Sequence, residues 1–410
     1  MPRAGWVKPP SETRLSDVVS VGLLTRVFPP GLVDEVIAEI GRTEVRRRAL
    51  PARSVAYFAI GMALHSQGSY EDVMAQLTDG LSWSTGWEQE YVPPSKSAIF
   101  QARDRLGAEP IEALFRRVAR PLAQPGAPAA WLAGRRLVAV DGTCLDVADT
   151  RANDAFFGRP GVNKGERSAF PQARVAGLVE CGTHALLDAE IGPYTTSETA
   201  LTGPLLDRLA PGMLVLADRG LAGFALWHRA AATGADLLWR VRNGVKALRP
   251  HRIEDLPDGS WLARIDPPRA LRKSVEPMVV RVVDYTIEDG REDGREGDTS
   301  YRLFTTITDP EQATATDLAL VYAQRWEIEN VFDELKTHQR GPRTVLRSKS
   351  PPLVLQEIWG HLCCHYAIRT LMADTAAQAG DDPDRVSFVA ALRLARRSIA
   401  HQGDFPPSAH

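Results

Sequence analysis

Two short apolar runs, Leu137-Val-Ala-Val140 and Leu214-Val-Leu-Ala217, each lead directly into an aspartate, Asp141 and Asp218. Apolar runs this short and without alternation predict strands covered on both faces, the setting of a sheet layered with helices. The neighbouring pattern agrees: 173–180 and 184–191 predict a hairpin, 199–209 and 222–233 helices, and 236–242 a further strand. The fold class expected from this alternation is α/β with a mixed sheet.

Outside this stretch the punctuation differs. Amphipathic segments at 31–41, 52–66, 70–78 and 95–106 predict a helical start, ended by the Ala/Pro/Gly-rich linker 121–134. Between 245 and 307 the pattern becomes purely β, with VVRVVDYTI and SYRLFTTI flanking the charged repeat EDGREDGRE, a low-complexity loop. Helix returns at 314–338 and continues to about 400. The longest apolar stretch, Val55 to Leu64, is far short of the roughly 20 residues of a membrane span. A soluble, cytoplasmic protein is expected, and Cys144, Cys181, Cys363 and Cys364 lack zinc-ribbon or disulfide spacing.

A net charge of −2 is unlike the basic excess of many nucleic-acid binders, but it conceals local clusters. These are Arg46-Arg47-Arg48, then Arg116, Arg117 and Arg120, then Lys336, Arg340, Arg343, Arg347 and Lys349. Ser95-Lys96-Ser97 after two prolines is a helix start and Gly107 its stop. That helix would expose Lys96, Gln101, Arg103 and Arg105 in the manner of a recognition helix, and an ordinary surface helix explains them as well.

Breaking and rejoining a phosphodiester needs a deprotonated nucleophile, a stabilised leaving oxygen and neutralisation of developing charge, which two Mg²⁺ ions about 4 Å apart supply. Hard cations take carboxylate oxygens, and Asp141 and Asp218 are suited to converge on such ions. An aspartate at a strand end is by itself an ordinary turn residue, so a third group must carry the argument. At about 100° per residue, Tyr322, Arg325, Glu329 and Lys336 fall within roughly 60° on one helix face. Val321, Ile328, Phe332 and Leu335 form the apolar stripe beside it, while Glu327 and Glu334 point elsewhere. A carboxylate between Arg and Lys on a half-buried face suits a metal-and-phosphate site.

Tyr322-Ala-Gln-Arg325-Trp-Glu-Ile-Glu329, followed by Lys336, resembles the Tyr-x2-Arg-x3-Glu-x6-Lys signature of the insertion-sequence-4 family of DDE transposases, without a gap. Asp141 in VAVDGT and Asp218 in LADRG are similar to that family's first two catalytic aspartates, and 20–110 to its helical N-terminal domain. The resemblance implies an RNase H-like catalytic domain with a β-rich insertion between helical ends. The corresponding boundaries are 1–130 (DNA-binding), 135–244 (first part of the core), 245–307 (insertion), 308–345 (the helix of the catalytic Glu) and 346–410. It implies DNA cleavage and strand transfer, with Mg²⁺ (or Mn²⁺) on Asp141, Asp218 and Glu329, and terminal phosphates on Tyr322, Arg325 and Lys336. The expected partners are terminal inverted repeats, target DNA and a second copy in a synaptic homodimer, associated with the nucleoid when bound. An aromatic residue of the insertion would stack on a flipped base, for which Trp239 and Trp261 compete with simple core packing.

Other readings are weaker. His361, Cys363, Cys364 and His365 offer at most part of a zinc site and sit among apolar neighbours. Asp146 is the reserve for Asp141. A catalytically inactive, transposase-derived DNA-binding protein keeps the same residues, whereas a two-carboxylate glycoside hydrolase leaves the Tyr-Arg-Glu-Lys face unexplained.

Overall fold

The computed structural model describes residues 22–44, 50–78, 94–127, 129–161, 168–242, 248–286, 300–342 and 344–400. The Arg46-Arg47-Arg48 cluster, Arg343 and the whole of the charged repeat lie outside the described residues. In chain order the helices are α1 (Gly22–Val27), α2 (Pro30–Glu39), α3 (Ala52–Leu64), α4 (Tyr70–Thr78), α5 (Lys96–Leu106), α6 (Glu109–Val118), α7 (Arg151–Phe157), α8 (Glu198–Leu205), α9 (Phe224–Ala231), α10 (Ala315–Tyr322), α11 (Glu327–Asp333), α12 (Pro351–Ala379) and α13 (Phe388–Ala400). The strands are β1 (Trp131–Leu132), β2 (Arg135–Asp146), β3 (Gln172–Glu180), β4 (Ala185–Pro193), β5 (Met213–Ala217), β6 (Asp236–Arg240), β7 (Pro250–Asp255), β8 (Trp261–Ile265), β9 (Met278–Thr286) and β10 (Ser300–Thr305).

The chain forms two compact units, one from Met1–Arg120, Leu145–Ala173 and Asp333–His410, the other from Pro121–Cys144 and Arg174–Phe332. Both helical ends of the chain therefore contribute to a single unit, although they are far apart in sequence. The reason lies in α3. Every residue from Ser54 to Leu64 is buried, so this helix has no solvent face and must be wrapped by others. One of its neighbours is the long α12, which comes close enough that a Cβ on Gly360 would lie 2.5 Å from the Ala59 carbonyl oxygen. His361, Cys363, Cys364 and His365 are buried on α12. Cys363 Sγ reaches the Ile111 carbonyl and His365 Nε2 meets Glu334 at 2.8 Å, so these four residues serve packing.

Arg103 departs from expectation. It is fully buried, not exposed. Its guanidinium donates to Tyr70 Oη at 2.6 Å, Gln356 Oε1 at 2.8 Å and Ser348 Oγ at 3.2 Å, tying α5 to α4 and α12. Helical spacing put Arg103 beside Lys96 and Gln101, but Ile99, Ala102 and Leu106 bury its side of the helix, while Lys96, Gln101 and Arg105 are exposed as expected. In the second basic cluster, Arg117 pairs with Glu35 and Glu39, and Arg116 with Glu112 and the Trp359 ring. In the third, Arg340 is buried and donates to the Thr344 carbonyl, and Arg347 donates to the Gly68 carbonyl at 2.5 Å.

The other unit is built on one sheet in the order β4-β3-β2-β5-β6-β10-β9-β8-β7, with β1 beside β2. The centre is parallel, β2 with β5 and β5 with β6, and the far side is antiparallel. The β-rich stretch after residue 245 thus extends the core sheet by direct pairing of β10 with β6. Its edge strand β7 is mostly exposed and carries His251, Arg252, Glu254 and Asp255, charges that discourage pairing with another chain. Trp239 on β6 is buried against Trp227 of α9, with ring centroids 5.1 Å apart. Trp261 is also buried, between Arg252 and Arg302, and its indole N–H donates to Asp284. Both therefore act as core residues.

Two stability tests follow from these contacts. Gly360→Ala should lower the melting temperature, because its methyl meets backbone and costs about 1–3 kcal/mol. An unchanged melt would mean that α3 and α12 are not so close. Arg103→Met should cost a similar amount, about 1–3 kcal/mol, by stranding buried polar partners, while Lys96→Ala and Gln101→Ala leave the melt unchanged.

Candidate active site

The parallel register does the first part of the positioning. Val140 of β2 pairs with Ala217 of β5. Asp141 and Asp218 are the next residues in each strand direction, so they emerge side by side where neighbouring strands are about 4.8 Å apart. At Asp218 the strand ends, and the chain turns with Leu221 N–H donating to the Asp218 carbonyl at 3.0 Å. β2 continues past Asp141, whose Oδ1 accepts from the Gly142 N–H at 2.8 Å.

The third carboxylate arrives on a helix that is not uniform. After α10, residues Ala323–Trp326 tighten into a 3₁₀ turn before α11, and Glu334–Gln339 widen into a π-helical segment. Because a 3₁₀ turn advances about 20° more per residue than an α-helix, a constant 100° step does not describe this face. The pairing of Arg325 with Glu329 nevertheless survives, because Arg325 sits near the end of the short 3₁₀ piece and Glu329 in the first turn of α11. Arg325 Nη2 donates to Glu329 Oε1 at 3.0 Å, and its Nη1 donates to Asp141 Oδ2 at 3.2 Å. One guanidinium thus holds carboxylates from a strand and a helix.

The other acids of this helix have different partners. Glu327 pairs with His184 and accepts from Asn330, and Glu334 is clamped by His365 and Arg369. Glu329 alone of the three faces Arg325. Tyr322 is buried, and its hydroxyl donates to the carbonyl of Ala217, the residue before Asp218, at 3.4 Å. Burial pushes this phenol above its ordinary range, with Asp218 adding to the effect and Arg325 opposing it. Lys336 belongs to the π-helical segment of the first unit, where it is half-buried. Asp146, the reserve for Asp141, accepts from Gln172 Nε2 at 2.8 Å.

The electrostatics are those of crowded acids around one cation. Burial works against the Arg325 charge, but Tyr322, Glu329, Asp218 and Asp141 together outweigh it and raise its pKa. Its Nε–H is buried with no hydrogen-bond acceptor among the described residues. Asp141 is pushed up to about 6, chiefly by burial; a hydrogen bond from Gly142 and the charge of Arg325 oppose this, and Glu198 adds to it. Glu198 was not singled out from the sequence. Its only signal was its place after Ser197, which caps α8 by accepting from Ala200 N–H at 3.2 Å.

Comparison with known proteins gives the family. Residues 18–116 match the family described as insertion element 4 transposase N-terminal, and residues 132–367 match the transposase DDE domain. The transposase InsG for insertion sequence element IS4 of Escherichia coli K12 is 28% identical over 377 residues, covering 90% of this chain and 81% of InsG. InsZ of the same organism is 27% identical over 201 residues, 49% of this chain and 64% of InsZ. Among solved structures, the piggyBac transposase synaptic complex with hairpin DNA is similar at 11% identity and a TM-score of 0.47, covering 93% of this chain and 80% of that one. That likeness is too loose to argue from. A DDE domain carries an RNase H-like fold, in keeping with the mixed sheet, and generally works with a divalent metal. The DDE match alone spans more than half of the chain and its N-terminal helices match the same lineage, so the chain belongs to the insertion-sequence-4 family of DDE transposases.

Proposed function

We propose that this protein binds the ends of an insertion sequence as a homodimer and catalyses metal-dependent cleavage and strand transfer, with Asp141, Asp218 and Glu329 as the Mg²⁺ ligands. The observation that carries the reading is Arg325 bridging Asp141 and Glu329, with Asp218 close enough to contribute to its charge balance. Acids gathered from two parallel strand ends and a helix would repel without a cation, and their oxygen donors suit a hard divalent ion. When bound, such ions supply an activated water or 3′-hydroxyl and offset the negative charge that develops on phosphorus.

The chain's own residues do the rest. The three carboxylates fix where the reacting phosphate must lie. Arg325, with its unpartnered Nε–H, takes phosphate oxygens of the terminal nucleotide; its planar fork allows two contacts at once. Tyr322 and Lys336 complete the hold on the terminal phosphates. Tyr322 acts from the end of β5, where its hydroxyl rests on the Ala217 carbonyl. Lys96 and Gln101 remain exposed on α5 for contact with the element's end, whereas Arg103 is reserved for the core.

Asp141→Asn, Asp218→Asn and Glu329→Gln should each reduce Mg²⁺-dependent cleavage of DNA carrying the inverted repeats that flank the gene below detection. Gel-shift affinity for that DNA should stay within a few-fold. Cleavage retained in Glu329→Gln would sink the assignment. Chelation by EDTA should stop cleavage, and added Mg²⁺ or Mn²⁺ should restore it. Arg325→Lys keeps a charge but loses the fork, so cleavage should fall by about 10²-fold or more, the scale seen when an oriented donor to developing charge is removed. Wild-type rates in Arg325→Lys would show that a point charge is enough.

A further inference from the structure

We infer that Arg340, Arg347 and His361 hold a phosphate oxyanion inside the helical unit. The inference does not rest on the carboxylate centre, and either can fail without the other.

Three arginines of this unit lie deep in it without a carboxylate partner. Arg103 and Arg340 are buried and Arg347 is half-buried, yet none of the three forms an ion pair among the described residues. Arg103 spends its donors on neutral acceptors: the Tyr70 hydroxyl, Gln356, Ser348 and the Leu353 carbonyl. Arg340 and Arg347 donate to the carbonyls of Thr344 and Gly68. The nearby acid Glu357 is already taken, because its two oxygens accept from the backbone N–H groups of Arg347 and Ser348 at 3.1 and 2.9 Å. Asp146 accepts from Gln172.

The fold gathers these cations around one turn. Gln67 Nε2 donates to the Arg340 carbonyl at 2.6 Å, and the next residue, Gly68, accepts from Arg347 Nη1 at 2.5 Å. The Tyr70 ring lies between two guanidiniums, 4.8 Å from that of Arg347 and 5.3 Å from that of Arg103. His361 stands one helical turn beyond Glu357 on α12, and its carbonyl accepts from Gln339, the neighbour of Arg340. Burial and the charges of Arg340 and Arg347 push the His361 pKa well down, so its ring is neutral and carries a single proton.

Two polar atoms of this group are buried without a partner among the described residues, Arg347 Nη2 and His361 Nδ1. His361 is only 5% exposed. A water molecule would satisfy such donors but leave the charge uncompensated, and an unpaired charge in a protein interior is strongly destabilising. Arginine cannot shed its proton to escape that cost. An oxyanion answers both needs. A phosphate group offers oxygens in several directions, which suits donors arriving from the Arg340–Arg347 loop and from α12 together, and guanidinium groups are the residues best shaped to receive it. The shared chemistry is a phosphate oxygen, whether of inorganic phosphate or of a DNA backbone.

Equilibrium dialysis of the full chain against radiolabelled inorganic phosphate, at constant ionic strength, should show saturable binding. Arg347→Gln should weaken it by about tenfold or more, the scale of a lost hydrogen bond to a charged group. A duplex lacking the inverted repeats, added to the loaded protein, separates the sources: displacement of the label assigns the site to a backbone phosphate, and retention assigns it to the free ion. A second measurement needs no variant. Phosphate should raise the melting temperature of the wild-type chain with concentration, and chloride at equal ionic strength should not. Undiminished binding in Arg347→Gln, or a wild-type melt that responds to phosphate no more than to chloride, overturns the inference.

Discussion

The contact on which this centre depends is the double hydrogen bond of Arg325 to Asp141 and Glu329. Bringing unit negative charges to about 4 Å costs roughly 4 kcal/mol per pair at an effective dielectric of about 20. A strand end and a helix that both carry carboxylates would therefore avoid each other. A buried guanidinium with donors in a fixed fork turns that repulsion into a crosslink, and it does so with a residue that cannot shed its proton. The same geometry leaves one donor, Nε–H, unused. On the proposed function, a structural role and a phosphate-holding role fall on this one side chain, and charge and shape separate them.

Much of the scaffold was legible in the sequence because its signals are local. The runs leading into Asp141 and Asp218 are strands, as their short apolar pattern predicts, whereas the parallel pairing of Val140 with Ala217 is read only from the structure. Glu329 was separable from Glu327 and Glu334 because a helix face is a local property, and each of the two others has its own basic partner. The phase to Lys336 was less secure. The 3₁₀ turn and the π-helical segment that break the regular step arise from packing that no residue spacing announces.

The misreadings share a cause. Arg103 carries a charge on an amphipathic helix, and charge predicts exposure unless buried partners are known. Those partners, Gln356 and Ser348, lie some 250 positions further along the chain. Glu198 was invisible for the same reason: its side chain packs over Gly142, more than fifty residues earlier. The strands after residue 245 have a β pattern that fixes their type, but nothing in it states that β10 will extend the core sheet beside β6.

The burial of α3 on all sides bears on how the chain comes to be folded as it is made. A ribosome releases α3 long before α12, and until α12 emerges the helix from Ala52 to Leu64 has an apolar face waiting for a neighbour. The sheet unit ends at Phe332, so all of its strands are available earlier. Synthesis order therefore favours a nascent chain whose carboxylate-bearing sheet matures first. Its helical unit stays a client for chaperones until the residues from Asp333 onward arrive, and premature termination in α12 would leave a sticky chain rather than a smaller enzyme.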